Sequence, residues 1–182
     1  MTTAGLVLAA GAGRRYGMPK ALVRRGDRLL VQLAAGVLAE AGCERIVTVL
    51  GAAADEVRAA APELPETVFN PDWATGMASS LRTGLTALEG GDATAAVVLL
   101  VDMPGVTAEA VRRIIAHAAP GALVMGGYGD RRGHPVLLGR DHWAGVAATA
   151  TGDRGARDYL RANPVRVVAV GDVADDTDMD FP

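Results

Sequence analysis

The chain has 182 residues, half of them hydrophobic, which suits one domain with a sizeable core. Its net charge of −3 and pI of about 5.6 argue against broad binding to nucleic acid or to an anionic membrane. The single cysteine, Cys43, excludes an internal disulfide framework and a cysteine-rich zinc site. The apolar run 4–10 has no basic region before it and is short for export or membrane spanning. We therefore expect a cytoplasmic protein with one domain, 1–182.

Predicted strands and helices alternate along almost the whole chain. The strands are short apolar or β-branched runs, at 4–10, 45–50, 67–69, 95–101, 122–125, 135–138 and 166–170. The helices have apolar residues at helical spacing or are alanine-rich, at 28–41, 55–61, 77–88, 107–118 and 155–161. This alternation predicts an α/β three-layer sandwich with a mostly parallel, Rossmann-like central sheet. Because ligands bind beyond the carboxyl ends of such strands, the loop after Ala10, Asp102 and the loop after Met125 are expected at one edge.

The first predicted strand leads into a loop with glycine and three cationic side chains. Gly11 and Gly13 expose backbone N–H groups, and Arg14, Arg15 and Lys20 follow them. Lys20 is the only lysine, since the other 17 basic residues are arginine. A lysine ammonium is a compact point charge that suits phosphate oxygens. The loop therefore predicts a local anion site, although a lone lysine is also compatible with a solvated surface residue.

Neither of the two common phosphate-binding patterns is present in this loop. The GxGxxG pattern needs a glycine where Tyr16 stands, and Gly17 comes one residue later. The P-loop needs Gly-Lys-Ser/Thr, whereas Lys20 lies between Pro19 and Ala21. What remains is a strand followed by a glycine loop that presents N–H groups and positive charge to an anion.

The segment LAAGAGRRYGMPKAL, residues 8–22, resembles the LAAGxGxRMGxPKxL signature of the MobA-like NTP transferases. Three further segments, 70–85, 101–107 and 132–157, are similar to the molybdenum cofactor cytidylyltransferase branch of that family and keep its order. Ala10 stands where the guanylyltransferases have a second glycine, as in the relatives that take pyrimidine nucleotides. The resemblance covers nearly the whole chain and implies the nucleotidyltransferase fold.

The resemblance implies a Mg²⁺-dependent enzyme that transfers CMP from CTP, or the nucleotide of another NTP, to the phosphate of a molybdopterin-type acceptor. Such a transfer joins two anions, so charge neutralisation and positioning dominate catalysis. Lys20, Arg14 and Asp102 are the implied catalytic residues. The implied binding residues are Ala9, Ala10, Gly11, Gly13, Arg15, Gly76, Ser79, Ser80 and His134. A molybdenum hydroxylase would be a further partner.

The implied metal ligands are Asp102 and Asp176. Asp102 leaves the most apolar strand, although it also suits the turn before the helix that Thr107 caps. Family members carry a D-x-D-T run near the C-terminus, and Asp176 matches it best, with Asp178 as the alternative. An acidic tail is otherwise a solvated end of the chain.

The implied contacts with the base and the acceptor leave alternatives open. Ser79 and Ser80 suit the polar edges of a nucleotide but also suit helix capping. The glycine-rich segment 126–135 is interpreted as a loop that contacts the acceptor, with His134 either a phosphate or pterin donor or a structural residue.

Two rival functions remain. The first is a nucleotide- or pterin-binding chaperone for molybdenum hydroxylases, which the incomplete tail motif keeps open. The second is a dye-reducing oxidoreductase, since some proteins similar to this family carry that description. That function needs a flavin or nicotinamide site, and the chain has no dinucleotide fingerprint.

Overall fold

The computed structural model describes residues 1–182 and contains nine strands and six α-helices. The strands are β1 Thr3–Ala9, β2 Arg24–Arg25, β3 Arg28–Leu29, β4 Arg45–Leu50, β5 Thr67–Phe69, β6 Ala95–Leu100, β7 Leu123–Tyr128, β8 Arg131–Gly139 and β9 Arg166–Ala169. The helices are α1 Leu30–Glu40, α2 Ala54–Ala60, α3 Met77–Glu89, α4 Ala108–Ile115, α5 Trp143–Thr149 and α6 Arg157–Ala162. Short 3₁₀ turns lie at Lys20–Leu22, Trp73–Thr75 and Arg140–His142. No helix is long and apolar enough to cross a membrane.

Seven strands form one sheet in the order β5-β4-β1-β6-β8-β7-β9. Every neighbouring pair is parallel except those that involve β8, which runs antiparallel to both β6 and β7. Two reversals leave β7 pointing the same way as β1 and β6. The carboxyl ends of these three strands therefore share one edge, as their sequence predicts. The strands β2 and β3 form a separate small hairpin.

Helices cover both faces of the sheet and produce two hydrophobic cores. Successive residues of β1 alternate between the cores, with Val7 and Ala9 in one and Leu6 and Leu8 in the other. The first core contains apolar side chains of α1, α2 and α4, and the second those of α3, α5 and α6. This three-layer arrangement confirms the predicted α/β sandwich with a mostly parallel central sheet.

The segment 126–135 forms a hairpin, so its prediction as a loop is wrong. β7 continues through Tyr128, turns at Gly129 and Asp130, and returns as β8. The register shifts beside Met125, where β8 carries two extra residues, His134 and Pro135. Proline has no N–H for the ladder, so a bulge is where a paired strand can hold it. The hairpin projects beyond the carboxyl edge of the sheet and becomes one wall of the site.

Candidate active site

The glycine loop between β1 and the 3₁₀ turn folds back on itself. Gly13 has a φ of +62°, and a Cβ there would overlap the carbonyl oxygen of Met18. The N–H of Gly17 donates to the carbonyl of Gly13 at 2.8 Å, which closes the loop. Lys20 opens the 3₁₀ turn, and the N–H of Leu22 donates to the carbonyl of Pro19 at 3.0 Å. The loop thereby fixes the backbone from which the Lys20 side chain extends.

The Lys20 ammonium bridges two carboxylates that come from distant parts of the chain. Its Nζ lies 3.0 Å from Asp102 Oδ2 and 3.1 Å from Asp180 Oδ1. The lysine side chain is 14% exposed. Burial lowers the pKa of Lys20, but hydrogen bonds and charge from Asp102 and Asp180 outweigh it and raise the pKa above its usual value. The lysine is therefore charged, and the interpretation of Lys20 as a solvated surface residue does not describe its surroundings.

Asp102, Asp178 and Asp180 form a group of three carboxylates. Each offers one oxygen, and these oxygens all lie within 4.8 Å of one another. Burial raises the pKa of Asp178, and the negative charges of Asp102 and Asp180 raise it further. An octahedral Mg²⁺ with oxygens at about 2.1 Å holds neighbouring ligands about 3 Å apart and opposite ones about 4.2 Å apart. The donor set and its spacing therefore suit a hard divalent cation.

Asp176 lies outside this group. Its buried carboxylate forms a two-point ion pair with Arg131, at 2.9 and 3.1 Å. The structure thus places Asp178, the alternative ligand, together with Asp180, which the sequence reasoning did not name. The D-x-D spacing of Asp178 and Asp180 is the local signal that could have found Asp180.

A cavity of about 230 Å³, here called the loop cavity, opens beside Lys20. Gly11 and Gly13 of the glycine loop line it together with Asp102. Its lining includes Gly11, Gly13, Lys20, Trp73, Gly76, Ser80 and Asp102. Hydrogen-bond donors, an ammonium and carboxylates thus surround a space open to a small polar ligand.

Asn70 supports the far wall of the loop cavity from inside the protein. Its Nδ2 donates to Ser79 Oγ at 2.8 Å and to Ser80 Oγ at 3.0 Å. Its Oδ1 accepts from the N–H of Asp72 at 2.9 Å. All three polar side chains, Asn70, Ser79 and Ser80, are buried, and neither serine caps α3. Sequence reasoning missed this role of Asn70, because only the fold brings the strand end and the helix together.

A second cavity of about 460 Å³, here called the arginine cavity, adjoins the first. The two cavities share part of their walls, at Leu8, Met77, Leu100 and Asp153. The arginine cavity has five arginines in its lining: Arg131, Arg132, Arg154, Arg157 and Arg161. Its remaining lining has 11 hydrophobic residues and three aspartates, Asp153, Asp176 and Asp178, so arginines outnumber carboxylates. It can therefore receive an anionic group attached to an apolar body.

His134 lines the arginine cavity at the bulge of β8. Burial lowers the pKa of His134 to about 4, although the negative charges of Asp102 and Asp176 oppose that shift. The imidazole is therefore neutral near pH 7 and can donate or accept one hydrogen bond.

Comparison with known proteins gives a family match that covers most of the chain. The family model of the MobA-like NTP transferase domain matches residues 5–167 of this chain. The chain belongs to this family. It is a nucleotidyltransferase of the MobA-like type.

Individual relatives are similar over most of their length. A protein of Paenarthrobacter nicotinovorans named nicotine blue oxidoreductase is 40% identical over 169 residues, which cover 88% of this chain and 82% of the relative. The crystal structure of Rv0371c from Mycobacterium tuberculosis H37Rv has a TM-score of 0.87 at 34% identity and covers 100% of this chain and 93% of its own. A structure described as Rv0371C in complex with manganese has a TM-score of 0.82 at 32% identity, and the match covers 98% of this chain and 94% of that one.

Most of the residues that sequence analysis assigned to this MobA-like site meet at the loop cavity. Those that line it are Ala10, Gly11, Gly13, Lys20, Gly76, Ser80 and Asp102. Arg15 is exposed, with its guanidinium 3.7 Å from Asp180, and Arg14 is exposed on the same loop. Ala9 is buried in β1, and Ser79 is occupied with Asn70. Their contacts with a nucleotide stay predictions.

Proposed function

We propose that the protein transfers CMP from CTP to the phosphate of a molybdopterin-type cofactor and releases pyrophosphate. The observation that carries this proposal is that the loop cavity, which Lys20 and Asp102 line, adjoins the arginine cavity and shares part of its wall with it. A transferase of this kind needs two anion-binding spaces that share one charged boundary. The choice of CTP rests on the LAAG sequence at residues 8–11, and the choice of acceptor rests on the family resemblance.

The transfer forms one bond and breaks another at the α-phosphorus of the donor. An oxygen of the acceptor phosphate attacks it, and the bond to the β-phosphate breaks with release of pyrophosphate. In this proposal, backbone N–H groups at Gly11 and Gly13 hold the donor phosphates. Lys20 and Arg14 neutralise charge at the α-phosphate and the departing pyrophosphate, while Arg15 binds beside them. Arginines of the second cavity orient the acceptor phosphate, since their planar forks fit phosphate oxygens.

We infer that Mg²⁺ is held by Asp102 together with the tail carboxylates Asp178 and Asp180. Asp176 remains the family-based alternative, but its carboxylate is occupied by Arg131. When bound, the ion would supply positive charge to the phosphates of the donor. The ammonium of Lys20 offsets part of the repulsion between Asp102 and Asp180, which both bind it.

The test is a pyrophosphate-release assay with CTP, GTP, UTP and ATP in the presence of a molybdenum cofactor source. We expect release to be fastest with CTP and to require both the acceptor and Mg²⁺. Faster release with GTP would overturn the base assignment, and release independent of the acceptor would overturn the transfer. The same assay separates the enzyme from a cofactor chaperone, which would bind CTP or the cofactor without turnover.

The Asp102→Asn variant tests the metal site. The amide keeps the shape of the side chain and removes the charge, so we expect the response of the rate to Mg²⁺ concentration to disappear. Measuring initial rates over a Mg²⁺ titration, with the wild-type protein as reference, gives this response. A titration curve that superimposes on that of the wild type would move the ligand role to other residues.

A dye-reducing oxidoreductase is the second candidate, because the relative at 40% identity carries the name nicotine blue oxidoreductase. A redox function requires a bound flavin or a nicotinamide donor. The discriminating measurement is the absorbance spectrum of the purified protein, followed by NAD(P)H-dependent bleaching of nicotine blue without any NTP. Flavin absorbance or bleaching above a boiled-protein control would favour this candidate over the transferase.

A further inference from the structure

The C-terminal segment 175–180, here called the acidic tail, lies across the carboxyl edge of the sheet without regular secondary structure. Two backbone hydrogen bonds attach it to the segment between β6 and α4. The N–H of Asp175 donates to the carbonyl of Gly105 at 3.0 Å, and that of Met179 to the carbonyl of Asp102 at 2.9 Å. The acidic tail thereby brings Asp178 and Asp180 to Asp102.

A side-chain contact attaches the acidic tail to the opposite wall of the site. Arg131 lies on the β7–β8 hairpin, and both of its terminal nitrogens bind the two oxygens of Asp176, at 2.9 and 3.1 Å. The Asp176 side chain is only 7% exposed. Arg131 also lies over the ring of Tyr128, 5.5 Å from its centre. A two-point contact fixes the orientation of both partners, unlike a single hydrogen bond.

Two glycines leave room for the acidic tail. A Cβ at Gly133 would overlap the Asp176 carboxylate, and a Cβ at Gly105 would lie 2.6 Å from the carbonyl oxygen of Asp175. Neither glycine has a positive φ, so the missing side chain matters here and not the backbone conformation. The hairpin and the segment after β6 are thus shaped to receive the tail at Asp175 and Asp176.

We propose that Arg131 and Asp176 are positioning residues that hold the carboxylates of Asp178 and Asp180 in place for a divalent cation. The inference rests on the proposed metal site. In it, Asp176 does not bind the cation itself but positions Asp178 and Asp180, which do. Asp178 and Asp180 follow Asp176 by two and four residues, so the anchor restricts how far they can move. Without the ion pair, the tail would keep its two backbone hydrogen bonds and the contact of Asp180 with Lys20, but it would lose its attachment to the hairpin.

The experiment compares Asp176→Asn and Arg131→Met with the wild-type protein by two measurements. Asp176→Asn keeps the shape of the buried side chain and removes only its charge. It therefore tests the same ion pair even if the Arg131→Met variant fails to fold. Hydrogen exchange of the peptide 174–182 reports attachment of the tail, and electron paramagnetic resonance of Mn²⁺ reports cation affinity without any turnover. We expect exchange of this peptide about tenfold faster and Mn²⁺ binding about 10–100-fold weaker, the usual loss for an outer partner of a metal site.

Two further variants separate positioning from a general loss of stability. Arg131→Lys keeps the charge and should restore part of the Mn²⁺ affinity that Arg131→Met loses. Arg45→Met removes a comparable two-point pair, with Glu66 at 2.8 and 2.9 Å, at the opposite edge of the sheet. This control should leave both the exchange of 174–182 and the Mn²⁺ affinity unchanged.

The outcomes distinguish this inference from the proposed function. Wild-type exchange and affinity in both Asp176→Asn and Arg131→Met would overturn the positioning role and leave the metal site standing. Faster exchange with unchanged Mn²⁺ affinity would also overturn it, because the anchored tail would then not supply ligands. A wild-type protein that binds no Mn²⁺ would overturn the metal site itself, and the positioning role with it.

Discussion

Lys20 shares its carboxylate partners with the proposed metal ion. The ammonium contacts Asp102 and Asp180, two of the three aspartates that would also bind a divalent cation. A lysine is suited to such sharing, because its charge lies at the end of a flexible chain and can turn between partners. An arginine, with its rigid planar fork, would hold one carboxylate in a fixed geometry. This difference gives a physical reason for the one lysine in a chain that otherwise uses arginine.

The Lys20→Ala substitution should slow nucleotide transfer by about 10²–10³-fold, the typical loss for one group that stabilises charge in the transition state. Pyrophosphate release under saturating CTP measures the effect. The fold should survive, because the side chain lies in the wall of an open site and not in a core. Arg25→Ala, on the exposed β2–β3 hairpin, is the matched loss of one positive charge and should leave the rate unchanged. A rate for Lys20→Ala within about threefold of the wild type would refute the phosphate role.

Local sequence was sufficient to predict some site residues and insufficient for others. Asp102 follows β6 by two residues, so the end of that strand indicates its position, and Lys20 belongs to the glycine loop that follows β1. The contact of Asp180 with Lys20 spans 160 residues, so its sequence neighbours do not indicate that partner. Asn70 contacts Ser79 and Ser80, nine and ten residues later, only because the chain turns between β5 and α3. Asp176 and Asp178 share an acidic run in which only the path of the backbone decides which carboxylate faces the site.

At the scale of elements, the start of α3 is fixed by its contact with the loop 151–155. Gly76 has a φ of +116°, and a Cβ there would lie 2.6 Å from the backbone of Gly152. The N–H of Ala78 donates to the carbonyl of Gly152 at 2.8 Å. The first turn of the helix therefore uses the backbone of a distant loop to satisfy one of its N–H groups. This contact also joins the walls of the two cavities.

The Gly76→Ala substitution should destabilise the protein by about 2–4 kcal/mol, because it combines an unfavourable φ with a clash against backbone. Urea unfolding followed by circular dichroism measures the loss. Gly90→Ala is a control at the other end of the same helix, where φ is −72° and a Cβ would meet nothing within 4 Å. That change should stay within about 0.5 kcal/mol of the wild type. Equal effects of the two substitutions would contradict the proposed strain at Gly76.

Elements with a strong apolar pattern were predicted well from the sequence, and the β7–β8 hairpin was not. The strand 45–50 was predicted with the bounds that β4 has, and six apolar residues mark β6. By contrast, Gly126 and Gly127 carry no side chain to show a strand pattern, yet they pair with both β8 and β9. Strand formation there depends on neighbours contributed by later parts of the chain. The helix α5 was also missed, since its alanine-rich turn has a short and weak apolar pattern.

At the scale of the whole molecule, the net charge conceals an uneven distribution. Five arginines and three aspartates line the arginine cavity, so positive charge is in excess there although the chain as a whole carries −3. Composition argues against a broad basic surface, but it does not reveal a local group of arginines. A concave group of cations attracts anionic ligands at long range, and salt weakens this attraction.

Protonation of His134 should make stability depend on pH between about 6.5 and 4. The pKa of His134 is lowered to about 4 in the folded protein, so the unfolded chain binds a proton that the folded one does not. Stability therefore falls as the pH falls through this range. Between pH 7 and 4.5, the wild-type protein should lose about 1–2 kcal/mol more than His134→Gln, an amount reduced by the partial exposure of the ring. Urea titrations of both proteins at the two pH values measure this difference, and parallel losses would contradict it.

The residues of the site are far apart in the sequence, so they are not synthesised at the same time. Lys20 meets Asp102 across 82 residues and Asp180 across 160. During synthesis the glycine loop is therefore displayed long before its acidic partner Asp180. Contacts between such remote segments form late and slowly compared with local ones. The capacity to bind a divalent cation should therefore arise only after the strands of the sheet have been made, because the acidic tail follows β9 in the chain.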